Sequence, residues 1–126
     1  MNTLISAFFD AWSITDAESR AAKITSAVSD SIQYDDPRTP ATITSISELA
    51  DYVGMFSANA PGWTAKLVKA DSIAGTTISA TTRATIAFGG MGPDGKEMVQ
   101  LGQYFIEYKG EKISRMVGFA GTGEAG

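Results

Sequence analysis

The chain has 126 residues and contains neither cysteine nor histidine. Disulfide bonds, thiolate catalysis, histidine general bases and zinc sites built from thiolate or imidazole ligands are therefore excluded. Any proton transfer must use carboxylates, tyrosine, lysine or the backbone. The absence of cysteine is neutral between compartments and fits a reducing cytoplasm, which is the location that we expect.

Positive charge and long apolar runs are also scarce. Ten Lys and Arg against fourteen Asp and Glu give a net charge of −4, which disfavours nucleic acid as a partner. No apolar run approaches the roughly 20 residues that a membrane span needs, and the segment Met1 to Phe9 lacks the basic residues of a secretory signal. The acids are scattered, so we expect no metal, and we expect no cofactor.

The length and the 44% of hydrophobic residues predict one domain, residues 1–126, with its own core. A tail from about residue 120 to 126 carries nothing to bury and is expected to be frayed.

Three helices are predicted in the first half of the chain. Apolar residues at a spacing of three to four form one stripe on the first helix: Leu4, Ile5, Phe8, Phe9 and Trp12. A second helix begins at a capping box formed by Thr15 and Glu18 and continues to Val28. A third begins at the capping box of Ser45 and Glu48. A short extended piece over residues 31–34 lies between the second and third helices and stops at Pro37.

The second half changes to a period of two, which predicts β-strands. The four predicted strands span Trp63–Ile73, Thr76–Phe88, Glu97–Tyr108 and Lys112–Phe119. Turns at Ala74-Gly75, at Pro93-Asp94-Gly95 and at Lys109-Gly110-Glu111 connect them, so the strands form an antiparallel meander.

The strand Glu97–Tyr108 is apolar on both faces. One face carries Val99, Leu101 and Phe105, and the other carries Met98, Tyr104, Ile106 and Tyr108. A strand of this kind is covered on both sides. Helices cover one side. The other side is either a cavity lining or a subunit interface, and we expect a homodimer through the outer sheet face.

The order of these elements resembles the nuclear-transport-factor-2-like superfamily, which includes the ketosteroid isomerases and the SnoaL-like polyketide cyclases. The resemblance runs from about Leu4 to Phe119. Its motifs are the aromatic first helix, the Tyr34-Asp35-Asp36-Pro37 segment, the stretch Ser47–Gly62 and the strand segment Gln103–Tyr108. It implies an α+β fold in which three helices pack on the concave face of a curved antiparallel sheet, a half-barrel with a cone-shaped apolar pocket.

The resemblance also implies roles for single residues. The general base of the isomerases corresponds to Asp36, and their two oxyanion donors correspond to Phe8 and to Tyr104, or to Gln103 if the register moves by one. Phe8 has no hydroxyl, so we do not expect an authentic steroid isomerase. The expected pocket wall is Phe8, Trp12, Tyr34, Phe56, Trp63, Gln103, Ile106, Tyr108 and Met116.

Two interpretations of the acidic pair remain open. Asp36 could take a proton next to a carbonyl group while Tyr104 stabilises the oxyanion, and Asp35 would then face solvent. Alternatively, the pair is ordinary turn chemistry before proline, with Arg38 as its partner, and Tyr104 is a core residue. The sequence thus favours a protein that binds a small apolar or aromatic carbonyl ligand, as an isomerase or cyclase. The alternative is a non-catalytic ligand-binding or dimerisation module.

Overall fold

The computed structural model describes residues 2–73 and 81–121, with side chains from residue 3 onwards. The helices are α1 (Asn2–Asp10), which continues into a 3-10 turn (Ala11–Ser13), α2 (Ala17–Ala27) and α3 (Ile46–Asn59). The strands are β1 (Val28–Asp35), β2 (Thr64–Ile73), β3 (Thr81–Met91), β4 (Glu97–Lys109) and β5 (Lys112–Ala120). The predicted turn at Ala74-Gly75, the first residues of the strand Thr76–Phe88 and the tail from residue 122 lie outside the described residues.

Side chains cap two of the helices at their N-termini. The hydroxyl of Ser45 accepts the backbone N–H of Glu48 at 3.1 Å, as predicted for α3. For α2 the prediction was wrong by one residue, because Asp16 and not Thr15 accepts the backbone N–H of Ser19, at 2.9 Å. This hydrogen bond is the main reason that the pKa of Asp16 is lowered. Both helices therefore begin at a side chain that satisfies an unpaired amide.

The five strands form one open sheet in the order β1-β5-β4-β3-β2. The predicted antiparallel meander is confirmed from β2 to β5. Between β3 and β4, the turn is closed by the N–H of Gly95 to the carbonyl of Gly92 at 3.0 Å, and Gly95 has the positive φ of 78° that this turn requires.

The first strand corrects the sequence prediction. Helix α2 ends at Ala27, so Val28 is the first residue of β1 and not the last of the helix. β1 is twice the predicted length and runs parallel to β5, with Tyr34 beside Met116. The sheet is therefore mixed and not wholly antiparallel. The parallel pairing depends on contacts between distant parts of the chain, which a local apolar pattern does not contain.

The helices cover one face of the sheet. The most deeply buried residues come from every helix and from all strands except β2: Ile5, Phe8 and Phe9, Ile24, Leu49, Ile32 and Tyr34, Ile86, Ile106, Ile113 and Met116. On the other face of β4, Val99 is 59% exposed, Leu101 36% and Phe105 42%. Within this chain, the described residues thus leave the outer sheet face uncovered. None of the described helices has the length and apolar character to span a membrane.

Arg20 holds the helices together. Its Nε donates to the carbonyl of Ala50 on α3 at 3.2 Å, and its Nη1 donates to the carbonyl of Ile14 at 3.0 Å. Gly54 leaves space for the guanidinium, since a Cβ there would lie 2.6 Å from Nη2. A partly buried cation with two carbonyl acceptors thus joins α2 to α3 and to the turn that precedes α2.

We expect Arg20→Ala to lower the free energy of unfolding by about 2 kcal/mol, because hydrogen bonds from a charged donor to buried carbonyls are lost. Chemical denaturation followed by circular dichroism measures the change. Arg83→Ala is the matched control: Arg83 makes an exposed ion pair with Asp71 at 3.1 Å, and such pairs contribute at most about 1 kcal/mol. Equal losses in the two variants would contradict this role of Arg20.

Candidate functional site

A cavity of about 440 Å³ lies between the helices and the sheet. This volume falls within the range of about 300–1,000 Å³ that is typical of small-molecule sites. Aromatic side chains form much of its wall: Trp12, Tyr52, Phe56, Trp63, Phe88 and Tyr104. Among the described lining residues, Asp36 is the one acid and Arg38 the one base.

The aromatic wall is held by ring contacts between several elements. Trp12, in the turn after α1, packs against Phe56 of α3 at 5.2 Å between ring centroids and against Phe88 of β3 at 5.5 Å. The indole nitrogen of Trp12 is the one buried side-chain polar atom of the described residues without a hydrogen-bond partner. Rings are its neighbours there, including Tyr52, edge to face at 6.3 Å. The wall is therefore strongly apolar.

Asp36 lies at the polar end of the cavity, immediately after β1. Its Oδ1 accepts the backbone N–H groups of Arg38 at 2.9 Å and of Thr39 at 3.1 Å. Its Oδ2 accepts the hydroxyl of Tyr34 at 2.7 Å, and the hydroxyl of Tyr52 lies 2.7 Å from Oδ1 and 2.6 Å from Oδ2. Arg38 thus bonds Asp36 through its backbone amide and not through its guanidinium. The sequence left two positions open for Asp36, in a local turn or at the cavity. The structure has Asp36 in both, because it accepts two turn amides and also lines the cavity.

A second link extends this network across the sheet. The hydroxyls of Tyr34 and Tyr104 are 2.9 Å apart, and both side chains are almost completely buried. Burial raises the pKa of Tyr34 and Tyr104 well above the ordinary tyrosine value. Burial, followed by the hydrogen bond to Asp36, does the same for the pKa of Tyr52. All three phenols therefore stay protonated across the physiological range.

The structure brings five of the predicted site residues together around the cavity: Asp36, Tyr104, Trp12, Phe56 and Trp63. Six others do not line it. Phe8, Tyr34, Ile106, Tyr108 and Met116 are buried in the core beside the cavity, and Gln103 is on the opposite face of β4 from Tyr104. Asp35 is on the surface side, where it accepts the hydroxyl of Thr42 at 2.9 Å.

Sequence analysis missed two important lining residues. Tyr52 was missed because it lies at the edge of the apolar stripe of α3, three residues after Leu49 and four before Phe56, a position that is typical of a solvated flank. Phe88 was predicted only as an apolar strand position. The signal that could have placed Tyr52 near the cavity is its spacing of three residues from Leu49 and four from Phe56, which puts it beside both on the helix surface.

No cluster of three or more metal-ligating side chains occurs among residues 3–73 and 81–121. The acid of the cavity is surrounded by hydrogen-bond donors.

Solved structures of other proteins share this architecture. A candidate isomerase of the SnoaL-like family from Agrobacterium tumefaciens is 20% identical over 96% of this chain and 97% of its own, with a TM-score of 0.74. The chain has the nuclear-transport-factor-2-like fold. A nuclear-transport-factor-2-like protein with a cystatin-like fold from Novosphingobium aromaticivorans has a TM-score of 0.72 at 17% identity, over 98% of this chain and 80% of its own.

A candidate polyketide cyclase from Xanthomonas campestris is 13% identical, with a TM-score of 0.60 over 94% of this chain and 87% of its own. No protein-family model matches the sequence, and no curated protein matches it. At such low identities, the likeness establishes the fold and not the activity.

We expect the tyrosines to resist ionisation in the native protein. All four, Tyr34, Tyr52, Tyr104 and Tyr108, have a pKa raised chiefly by burial. In the unfolded chain they ionise near pH 10. Because the folded pKa is the higher one, their contribution to stability is complete below about pH 10 and is lost as the pH rises above it.

An alkaline titration that follows tyrosinate absorbance and circular dichroism together measures this effect. Absorbance and unfolding should change in one step, whereas the protein in denaturant should titrate near pH 10. Ionisation of these phenols near pH 10 in a chain that remains folded would contradict the network.

Proposed function

We propose that the chain binds a small apolar carbonyl compound in this cavity and catalyses a proton transfer next to the carbonyl group, as an isomerase or a cyclase. The observation that supports this is the position of Asp36, an acid at the polar end of an aromatic cavity, with the phenols of Tyr52 and Tyr104 beside it. The structural neighbours include a candidate isomerase and a candidate polyketide cyclase.

In this reaction the carboxylate of Asp36 takes a proton from the carbon next to the carbonyl group. The C–H electron pair forms the carbon–carbon double bond of the enolate, and the π electrons of the carbonyl group move onto its oxygen. Asp36 becomes neutral and accepts hydrogen bonds less strongly. The phenol protons that it held are then available to the new oxyanion, through Tyr52 directly and through Tyr34 to Tyr104. Donors already in place stabilise the charge that develops on the carbonyl oxygen. Return of the proton to another carbon completes an isomerisation, and attack of the enolate carbon on a second carbonyl completes a cyclisation.

The alternative function, a non-catalytic ligand-binding module, is favoured by one observation. Four protons reach Asp36, from Tyr34, Tyr52 and the backbone amides of Arg38 and Thr39. A carboxylate has about four lone-pair sites, so Asp36 accepts another proton only after one donor moves away. In the alternative, Asp36 acts as an anchor for the turn and for the phenols.

We also propose that two copies of the chain associate through the outer sheet face. Exposed apolar residues form a row there, and the rings of Phe105 and Phe119 meet edge to face at 5.9 Å. The charges beside them are balanced in nearby opposite pairs, such as Arg115 and Glu107 at 3.9 Å. Two such faces attract through apolar contact without net charge repulsion.

We expect Asp36→Asn to slow proton exchange next to a carbonyl group by at least about a hundredfold, the lower range for loss of a general base. The assay incubates acetophenone with the protein in heavy water and measures deuterium incorporation by mass spectrometry. Asp35→Asn is the matched control, since Asp35 bonds Thr42 outside the cavity, and it should keep the wild-type rate. Exchange by Asp36→Asn at the wild-type rate, or none by the wild type above buffer, would favour the non-catalytic module.

We expect the wild-type chain to sediment as a dimer and Phe105→Glu to shift it to the monomer, because the substitution places charge in the apolar row. Sedimentation velocity over a concentration series measures the shift. Met55→Glu is the control: Met55 is 60% exposed and lies on α3, on the helix side of the sheet, so this variant should remain dimeric. A monomeric wild type, or equal behaviour of the two variants, would contradict the proposed interface.

A further inference from the structure

The network at the polar end of the cavity contains a fixed set of protons. Tyr34, Tyr52 and Tyr104 carry one hydroxyl proton each, and their raised pKa values keep it there. The two backbone amides on Asp36 can only donate. Asp36 must therefore act as an acceptor towards them, and it accepts from the phenols as well.

The direction of each hydrogen bond follows from this set. Tyr34 has one proton and two neighbours, Oδ2 of Asp36 at 2.7 Å and the hydroxyl of Tyr104 at 2.9 Å. The proton goes to the carboxylate, because a charge-assisted hydrogen bond is the stronger of the two. Tyr104 must then donate its own proton to Tyr34. Tyr52 gives its proton to Asp36.

All three hydroxyl protons are thus used inside the network. Tyr52 and Tyr104 both line the cavity, and what they present to it is oxygen lone pairs. The indole N–H of Trp12 does not compensate, because its nitrogen is sealed from solvent. The side chains of Arg38, Asn59 and Gln100, which also line the cavity, are exposed. The part of the polar end that Tyr52 and Tyr104 form is therefore an acceptor surface, whereas the donor groups of Arg38, Asn59 and Gln100 lie where solvent reaches them.

We propose that this cavity selects an apolar ligand with a hydroxyl donor, a phenol or an enol, over the corresponding ether or ketone. A ketone oxygen would meet lone pairs, and Tyr34 would have to turn its proton from Asp36 to Tyr104 before Tyr104 could donate. A hydroxyl ligand finds an acceptor without any such change. The aromatic wall around Trp12, Phe56 and Phe88, whose rings meet edge to face, suits an apolar or aromatic body.

The inference rests on the proposed function in one respect, that the same cavity binds the ligand. It also gives that function a substrate class. A bound enol beside ionised Asp36 and a bound enolate beside protonated Asp36 contain the same number of protons, and they differ only in where one proton lies. The cavity therefore stabilises the enol form of a carbonyl compound, which is the form that proton transfer next to the carbonyl group produces.

The test compares two matched probes, para-propylphenol and para-propylanisole, by isothermal titration calorimetry. The ether is the more apolar of the two, so burial alone would favour it. We expect the wild-type chain to bind the phenol at least about tenfold more tightly, the ratio for one buried hydrogen bond. Equal binding, or tighter binding of the ether, overturns the hydroxyl preference and leaves the cavity as a ligand site. Binding of neither probe overturns the cavity-binding proposal itself.

The variant Asp36→Asn provides a second, independent test of the hydroxyl preference. The amide oxygen still accepts the N–H groups of Arg38 and Thr39, and the amide NH₂ now donates to Tyr34 and Tyr52. The proton of Tyr34 then turns to Tyr104, and that of Tyr104 turns into the cavity. The preference should shift towards the ether by about tenfold, whereas Asp35→Asn should keep the wild-type ratio. An unchanged ratio in a folded Asp36→Asn variant contradicts the assigned proton directions. If that variant does not fold, the wild-type ratio alone decides.

Discussion

A single charged carboxylate at the edge of an aromatic core is the constraint on which the site depends. A charge in such a place is costly unless donors surround it. The chain supplies those donors from separate elements: Tyr34, two residues earlier, lies on β1, and Tyr52 comes from α3. Two amides of the turn after Pro37 complete the set. β1, the turn and α3 all meet at Asp36. The hydrogen bonds that form the site therefore also hold these three elements together.

Local patterns predicted most of the fold. The period of two and the Pro93-Asp94-Gly95 turn were sufficient for the meander, and the capping box at Ser45 placed the start of α3. The parallel pairing of β1 with β5 could not be predicted in this way, because it joins Tyr34 to Met116 through contacts that no short segment contains. The choice of Asp16 over Thr15 as a cap depends on backbone angles that the residue types alone leave open.

The site was predicted less well, for a related reason. A large aromatic residue on an apolar stripe looks the same in sequence whether it lies in the core or in a cavity wall. Trp12 lines the cavity, whereas Phe8, one helical turn earlier, is fully buried behind it. The two residues differ in how deep they lie between the helices and the sheet, and that depth is set only when the helices pack on the sheet. Asp36 was named because the family resemblance assigns the general base to the acid before proline, and Tyr52 was missed because a flanking tyrosine is typical of a solvated helix edge.

The two phenols on Asp36 differ in a way that reconciles full hydrogen bonding with the proposed chemistry. Tyr34 is completely buried and is also bonded to Tyr104, so any displacement would leave buried polar groups without partners. Tyr52 is only partly buried, and its ring lies in the cavity wall where a ligand can reach it. If one donor leaves Asp36 when a ligand binds, it is therefore Tyr52. In the proposed reaction, Tyr34 fixes the position of the carboxylate, and movement of Tyr52 frees the lone pair that receives the proton.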